Sequence, residues 1–159
     1  MKKIFLALSL ISMLALTSCG GKTEPTKDVY SVDITTSFGS VNGMATDFSN
    51  VDVTLTYSIG SKTETVKVSD VENHYSAEVP SIPCDILVKP TYTLKEGFIA
   101  PGDLSISFKC TVSCQINGKT IKTGGESTAS KHNCKSIDEA KEWLAGNKFK
   151  CTASFPAKN

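Results

Sequence analysis

Six cysteines and two histidines carry the covalent and coordination chemistry available to this chain of 159 residues. Cys19 stands alone at the end of the first apolar run, whereas Cys84, Cys110, Cys114, Cys134 and Cys151 lie in the C-terminal half. A thiolate serves alkylation, disulfide exchange and metal binding alike, so neighbours and compartment decide among them. Cys110, Cys114, His132 and Cys134 are ligand types that zinc or copper takes. The Cys pair is spaced by four along one strand, however, which is not a zinc-knuckle spacing, so no metal is expected. No Cys-x-x-Cys occurs, which removes the support for thioredoxin-like or haem-attachment chemistry. His74 and His132 both sit in polar settings and read as solvated side chains.

Other catalytic signatures are absent from the sequence. There is no Gly-x-Ser-x-Gly elbow, phosphate-cradling glycine loop, His-Glu-x-x-His or calcium-loop spacing. Asp138, Glu139 and Glu142 cluster where a helix starts, and the helix dipole accounts for them. A carboxylate pair for glycoside hydrolysis would meet only in three dimensions. No cofactor and no catalytic residue are expected.

Cys19 has the most informative context. Met1-Lys2-Lys3 is a short basic start, and Ile4 to Leu16 is apolar except for Ser9 and Ser12. A membrane-spanning helix needs about 20 apolar residues, so this run is too short and instead has the length of a signal-peptide core. Leu16-Thr17-Ser18-Cys19-Gly20 then resembles the lipobox of bacterial lipoproteins. That resemblance implies cleavage before Cys19, with the thiol of Cys19 carrying a diacylglyceryl group. Each buried acyl CH₂ adds about 0.8 kcal/mol, and the several chains of a lipoprotein make the anchor stable. The expected organisation is a signal peptide over 1–18, a lipidated cysteine and tether over 19–27, and one domain over 28–159. In that family, Gly20 after the cysteine is compatible with passage to the outer membrane. The expected location is therefore the cell envelope, with the membrane face left open.

Loss of residues 1–18 removes Lys2 and Lys3 and takes the formal charge from +1 to −1. A near-neutral chain with interspersed signs argues against nucleic acid as a partner. Every basic residue besides histidine is lysine, so no bidentate guanidinium clamp exists. Export would place the five later cysteines in an oxidising compartment, where pairing is the default, and an odd number leaves one over. Cys110 and Cys114, about 13 Å apart along a strand, are too distant to bridge each other. Phe108-Lys109-Cys110-Thr111 echoes Phe149-Lys150-Cys151-Thr152. The echo makes Cys110 with Cys151 the first pairing to expect, then Cys114 with Cys134, leaving Cys84 over.

The elements that must position these residues are strands, because the apolar period is two almost throughout. Tyr30, Val32, Ile34 and Phe38 share one parity, as do Val51 to Ile59. Gly60-Ser61 turns that strand toward a partner in which Val66 and Val68 face inward. Tyr75, Ala77 and Val79 mark a further strand. Cys84 to Leu94 follows, with Pro90 on the inward row, which predicts an edge or a bulge. Leu104 to Ile116 alternates without a break over about 40 Å, so a bend is expected. Asn117-Gly118 has the residues of a type I′ hairpin turn and would put Cys114 opposite Ile121.

Gly124 to Lys135 reads as a polar loop displaying Lys131 and His132 as candidate binding residues. Loops of this length are often functional. Ser136 and Glu139 form a capping box for the one helix, whose buried stripe is Ile137, Ala140 and Leu144 and whose stop is Gly146. Phe149 to Phe155 is the last strand. These elements predict a mainly β fold: an antiparallel sandwich or flattened barrel of about eight strands with one short C-terminal helix. The strand series also resembles the immunoglobulin-like or prealbumin-like sandwiches of envelope lipoproteins. The function expected is a lipid-anchored, non-catalytic module that binds a protein or glycan. The alternatives are an inhibitor of a wall-degrading hydrolase, a structural or adhesive subunit, and a small hydrolase.

Overall fold

A computed structural model describes residues 27–155, so the signal segment and the Cys19 lipidation site lie outside the described residues. Eight strands and one helix follow in order. They are β1 (Tyr30–Ser37), β2 (Val51–Ile59), β3 (Lys62–Lys67), β4 (Glu72–Glu78), β5 (Cys84–Leu94), β6 (Gly102–Ile116), β7 (Lys119–Cys134), α1 (Ile137–Gly146) and β8 (Cys151–Phe155). They form two antiparallel sheets of four strands, ordered β4-β1-β6-β7 and β3-β2-β5-β8. The fold is the mainly β sandwich that the alternation implies, with no closed barrel.

The inward rows of both sheets meet in one core. Val32, Ile34 and Phe38 from β1 and its end face Val53, Leu55 and Val88, while Ile106, Phe108 and Val112 come from β6. Burying such side chains removes apolar area from water at about 25 cal/mol per Å², the dominant favourable contribution to folding. Two polar strand residues are fully buried as well. Thr36 is fully buried on β1, between Ile34 and Phe38. Ser107, on the outward parity of β6, is fully buried as well because the segment 39–50 folds over it. The Ser107 hydroxyl donates to the Phe38 carbonyl at 2.7 Å, and its N–H donates to Thr46 Oγ1 at 2.9 Å. The Ser107 carbonyl accepts from Tyr92 Oη at 2.9 Å. These bonds satisfy the Ser107 groups that would otherwise make its burial costly.

Several local expectations change. Gly124 to Lys135 is not a loop: Lys119–Cys134 is a 16-residue strand paired along the whole of β6. A bulge between Cys114 and Gln115 sets Cys114 opposite Lys122 rather than Ile121. The turn itself is as read, with Asn117 at φ 49° and Gly118 at φ 76°. Pro90 lies on an interior strand, paired with Leu55. It is tolerated there because β8 pairs only Cys84 to Val88, so β5 is locally an edge at Pro90 on that flank. Val66 and Ile137 are exposed rather than inward-facing.

Candidate binding cleft and the buried thiols

Sheet ends β3 and β4 lie on the same side of the sandwich and leave a cleft of about 430 Å³ between them. A sandwich side opens where two edge strands twist apart, and the side chains there come from both sheets. Tyr57 from β2 and Tyr75 from β4 meet across the sheets as a stacked pair, ring centroids 4.2 Å apart and planes 9° from parallel. Tyr57 is buried and Tyr75 half-buried, so the pair forms the cleft's inner wall. Tyr75 Oη donates to Glu64 Oε2 at 2.9 Å, tying β4 to β3. Burial, and then this bond to a carboxylate, push the Tyr75 phenol up to about 12, because ionising it would lose the bond and set two negative charges together. Lys62, Thr63, Glu64 and Glu78 complete the polar lining.

Glu64 and Glu78 are both exposed at the cleft. The cleft therefore offers an aromatic wall with hydroxyl, ammonium and carboxylate partners around it, a lining suited to binding. Its residues come from three strands, β2, β3 and β4. Sequence reasoning missed it because only the alternation of Tyr57 and Tyr75 was visible, and that reads as core.

Lys131 and His132 stand on β7, where both engage the protein's own residues. Lys131 Nζ lies 2.6 Å from Asp103 Oδ2. His132 Nε2 lies 2.9 Å from Glu139 Oε1, and its ring stacks on Trp143 with centroids 5.6 Å apart. Glu139 Oε2 also accepts from the Lys135 N–H at 2.7 Å. The His132 hydrogen bond, and then the Lys135 N–H, hold the Glu139 carboxyl below its usual range. This cluster fastens α1 to the end of β7. His74 is exposed on β4, its Nδ1 3.2 Å from Thr35 Oγ1.

Cys84, Cys110, Cys114, Cys134 and Cys151 are all buried free thiols, none at bonding distance from another. The structure sets Cys110 of β6 and Cys151 of β8 beside each other across the two sheets. The thiol–thiol interaction, and then burial, push Cys110 far up, and the same interaction lowers Cys151. Cys114 and Cys134 are not brought together: they face Lys122 and Gly102, at opposite ends of β6. Among the described residues no cluster of three or more His, Cys, Asp or Glu could hold a metal ion. No helix among them is long and apolar enough to cross a membrane.

No protein-family model, no curated protein and no solved structure matches this chain.

Proposed function

We propose that this is a lipid-anchored cell-envelope protein whose sandwich is a non-catalytic binding module. In this reading Cys19 carries the lipid, the outer membrane holds it, and the cleft between β3 and β4 receives a glycan. The likeness to immunoglobulin-like modules belongs to the same proposal and rests on the two packed antiparallel sheets. The observation that carries the reading is the cleft lining: a stacked tyrosine pair ringed by Lys62, Thr63, Glu64 and Glu78. Its volume falls in the range of small-ligand sites, and such sites combine an apolar wall with a few polar groups that fix orientation.

The test is titration of the full-length, detergent-solubilised protein with oligosaccharides released from bacterial envelopes. A glycan should bind, and Tyr75→Ala should weaken it about tenfold, a loss of about 1.4 kcal/mol. Circular dichroism would establish that the variant keeps its sheets. The bound glycan should be recovered intact. Cleavage that disappears in Glu78→Gln would replace the binding module with a small hydrolase.

A second reading is favoured by β3 itself. All six of its residues are exposed and its outer edge is unpaired, so a partner protein's extended segment could add to it as a strand. Peptide capture lost in Thr65→Pro but kept in Tyr75→Ala would select this reading over the glycan.

A further inference from the structure

Three strands fix the positions of four of the thiols. On β7, Glu126 is opposite Cys110, Gly124 opposite Val112 and Lys122 opposite Cys114. Strand β8 passes the same points in the reverse order to β7. The charge of Glu126 bears on Cys151, a Cβ on Gly124 would lie 3.5 Å from Ala153, and Lys122 Nζ donates to the Ser154 carbonyl at 3.3 Å. Strand β8 therefore runs beside β6 in the same direction, with Cys151 level with Cys110 and Phe155 level with Cys114. On β5, Cys84 is the register partner of Phe155. The four thiols thus form two rungs across the space between the sheets, four residues apart along β6 with Val112 between them. The second rung agrees with Cys84 being a charge neighbour of Cys114.

Cys134 is elsewhere. It is paired with Gly102, eight residues from Cys110 along β6, or about 26 Å. A disulfide needs Cα atoms within about 7 Å, so Cys134 can reach none of the other four.

We propose that Cys110–Cys151 and Cys84–Cys114 are the two disulfides this fold is built to form, each joining one sheet to the other, and that Cys134 is the thiol left over. Closure removes two electrons and two protons from each dithiol, and the oxidant is another disulfide: an envelope dithiol oxidase in the cell, or glutathione disulfide in solution. On the first rung Cys151 loses its proton and attacks the oxidant as thiolate. One thiol of the oxidant leaves and a mixed disulfide remains on Cys151. Cys110 then gives up its proton and attacks the Cys151 sulfur, and the second thiol of the oxidant departs. Both rungs are buried, so closure belongs to folding, before the sheets exclude the oxidant.

The experiment is to reduce and unfold the full chain, refold it in a glutathione redox buffer, alkylate remaining thiols and map the tryptic peptides. Peptide 110–119 holds both Cys110 and Cys114, so fragment ions assign its two links. It should join 151–158 through Cys110 and 68–95 through Cys114, while 132–135 carries the alkyl group on Cys134. Cys134→Ala should leave this pattern unchanged. Cys114→Ala should lose only the link to 68–95, which keeps the first rung testable if substitutions at Cys110 or Cys151 impair folding. A bridge to Cys134, or native protein with Cys110 and Cys151 both alkylated, would overturn the proposal. This outcome is independent of the anchor and of the cleft, since refolding in solution requires neither.

Discussion

The carboxylate of Glu139 holds three elements together. One oxygen faces His132 of β7 and the other accepts from the Lys135 N–H, while its own backbone N–H donates to Ser136 Oγ at 3.1 Å. Its pKa is depressed below the ordinary 4.5 of a glutamate. A depressed carboxylate stabilises the fold above its unfolded pKa, and that contribution is lost as pH falls through the folded value. Thermal unfolding from pH 7 to pH 3 should therefore show the wild type losing melting temperature below about pH 4.5, with Glu139→Gln starting lower and losing less over that interval. Parallel curves for the two proteins would remove Glu139 from the acid limb. The Ser136 half of this arrangement was legible, because a capping box is a local spacing. The His132 half was not: seven residues separate His132 from Glu139, and the helix turns back onto β7 only once Ala140 and Leu144 are buried. The reach to Lys135 rather than the N–H of Ser136 is likewise set by the chain's entry into α1.

Among the elements, the sequence pattern shows β6 almost to its ends and hides β7, and the same sheet explains both. In β6 each second side chain from Leu104 to Cys114 enters the core, so burial writes itself into the sequence as alternation. Strand β7 sits at the sheet's edge, where nearly all its residues keep solvent contact, and nothing forces an apolar period on Gly124-Gly125-Glu126-Ser127-Thr128. It is a strand because β6 offers it a ladder, a backbone interaction with no side-chain signature. The two ends of that ladder are differently constrained. At the turn, Gly118 takes φ 76°, and Asn117-Gly118 announced it. At the far end Gly102 has no such signal. A Cβ there would lie 2.7 Å from the Ile99 carbonyl oxygen and 3.2 Å from the Phe98 ring, so the backbone of the 98–102 bend would have to move. Gly102→Ala should destabilise the protein by about 1–3 kcal/mol, the range for forced overpacking, measured by urea unfolding. An unchanged midpoint would show that the bend yields freely.

For the whole molecule, the two long sides of the sandwich differ. On one, β7 and β8 approach until Lys122 bonds Ser154 and a Cβ on Gly124 would lie 3.5 Å from Ala153, which nearly closes the gap between sheets. On the other, β3 and β4 stay apart, joined by the Tyr75–Glu64 bond and the stacked tyrosines, and the cleft opens there. The fold class followed from periodicity alone, because two faces buried against each other impose it on the strands other than β3 and β7. The cleft did not follow, since Glu64, Tyr75 and Glu78 come from the edges of different sheets and are brought together only by their packing. In the account proposed here the closed side carries the covalent staples and the open side meets the ligand, while a lipid on Cys19 holds both at the membrane.

That anchor is the premise on which the envelope setting, the oxidising compartment and the choice of glycan all depend. Its most direct measurement is metabolic labelling of cells expressing the full-length chain with a radioactive or clickable fatty acid, followed by membrane fractionation. Wild-type protein should carry the label, sediment with membranes and have lost residues 1–18, whereas Cys19→Ala should carry none. Wild-type protein that is unlabelled, soluble and still begins at Met1 would contradict the account.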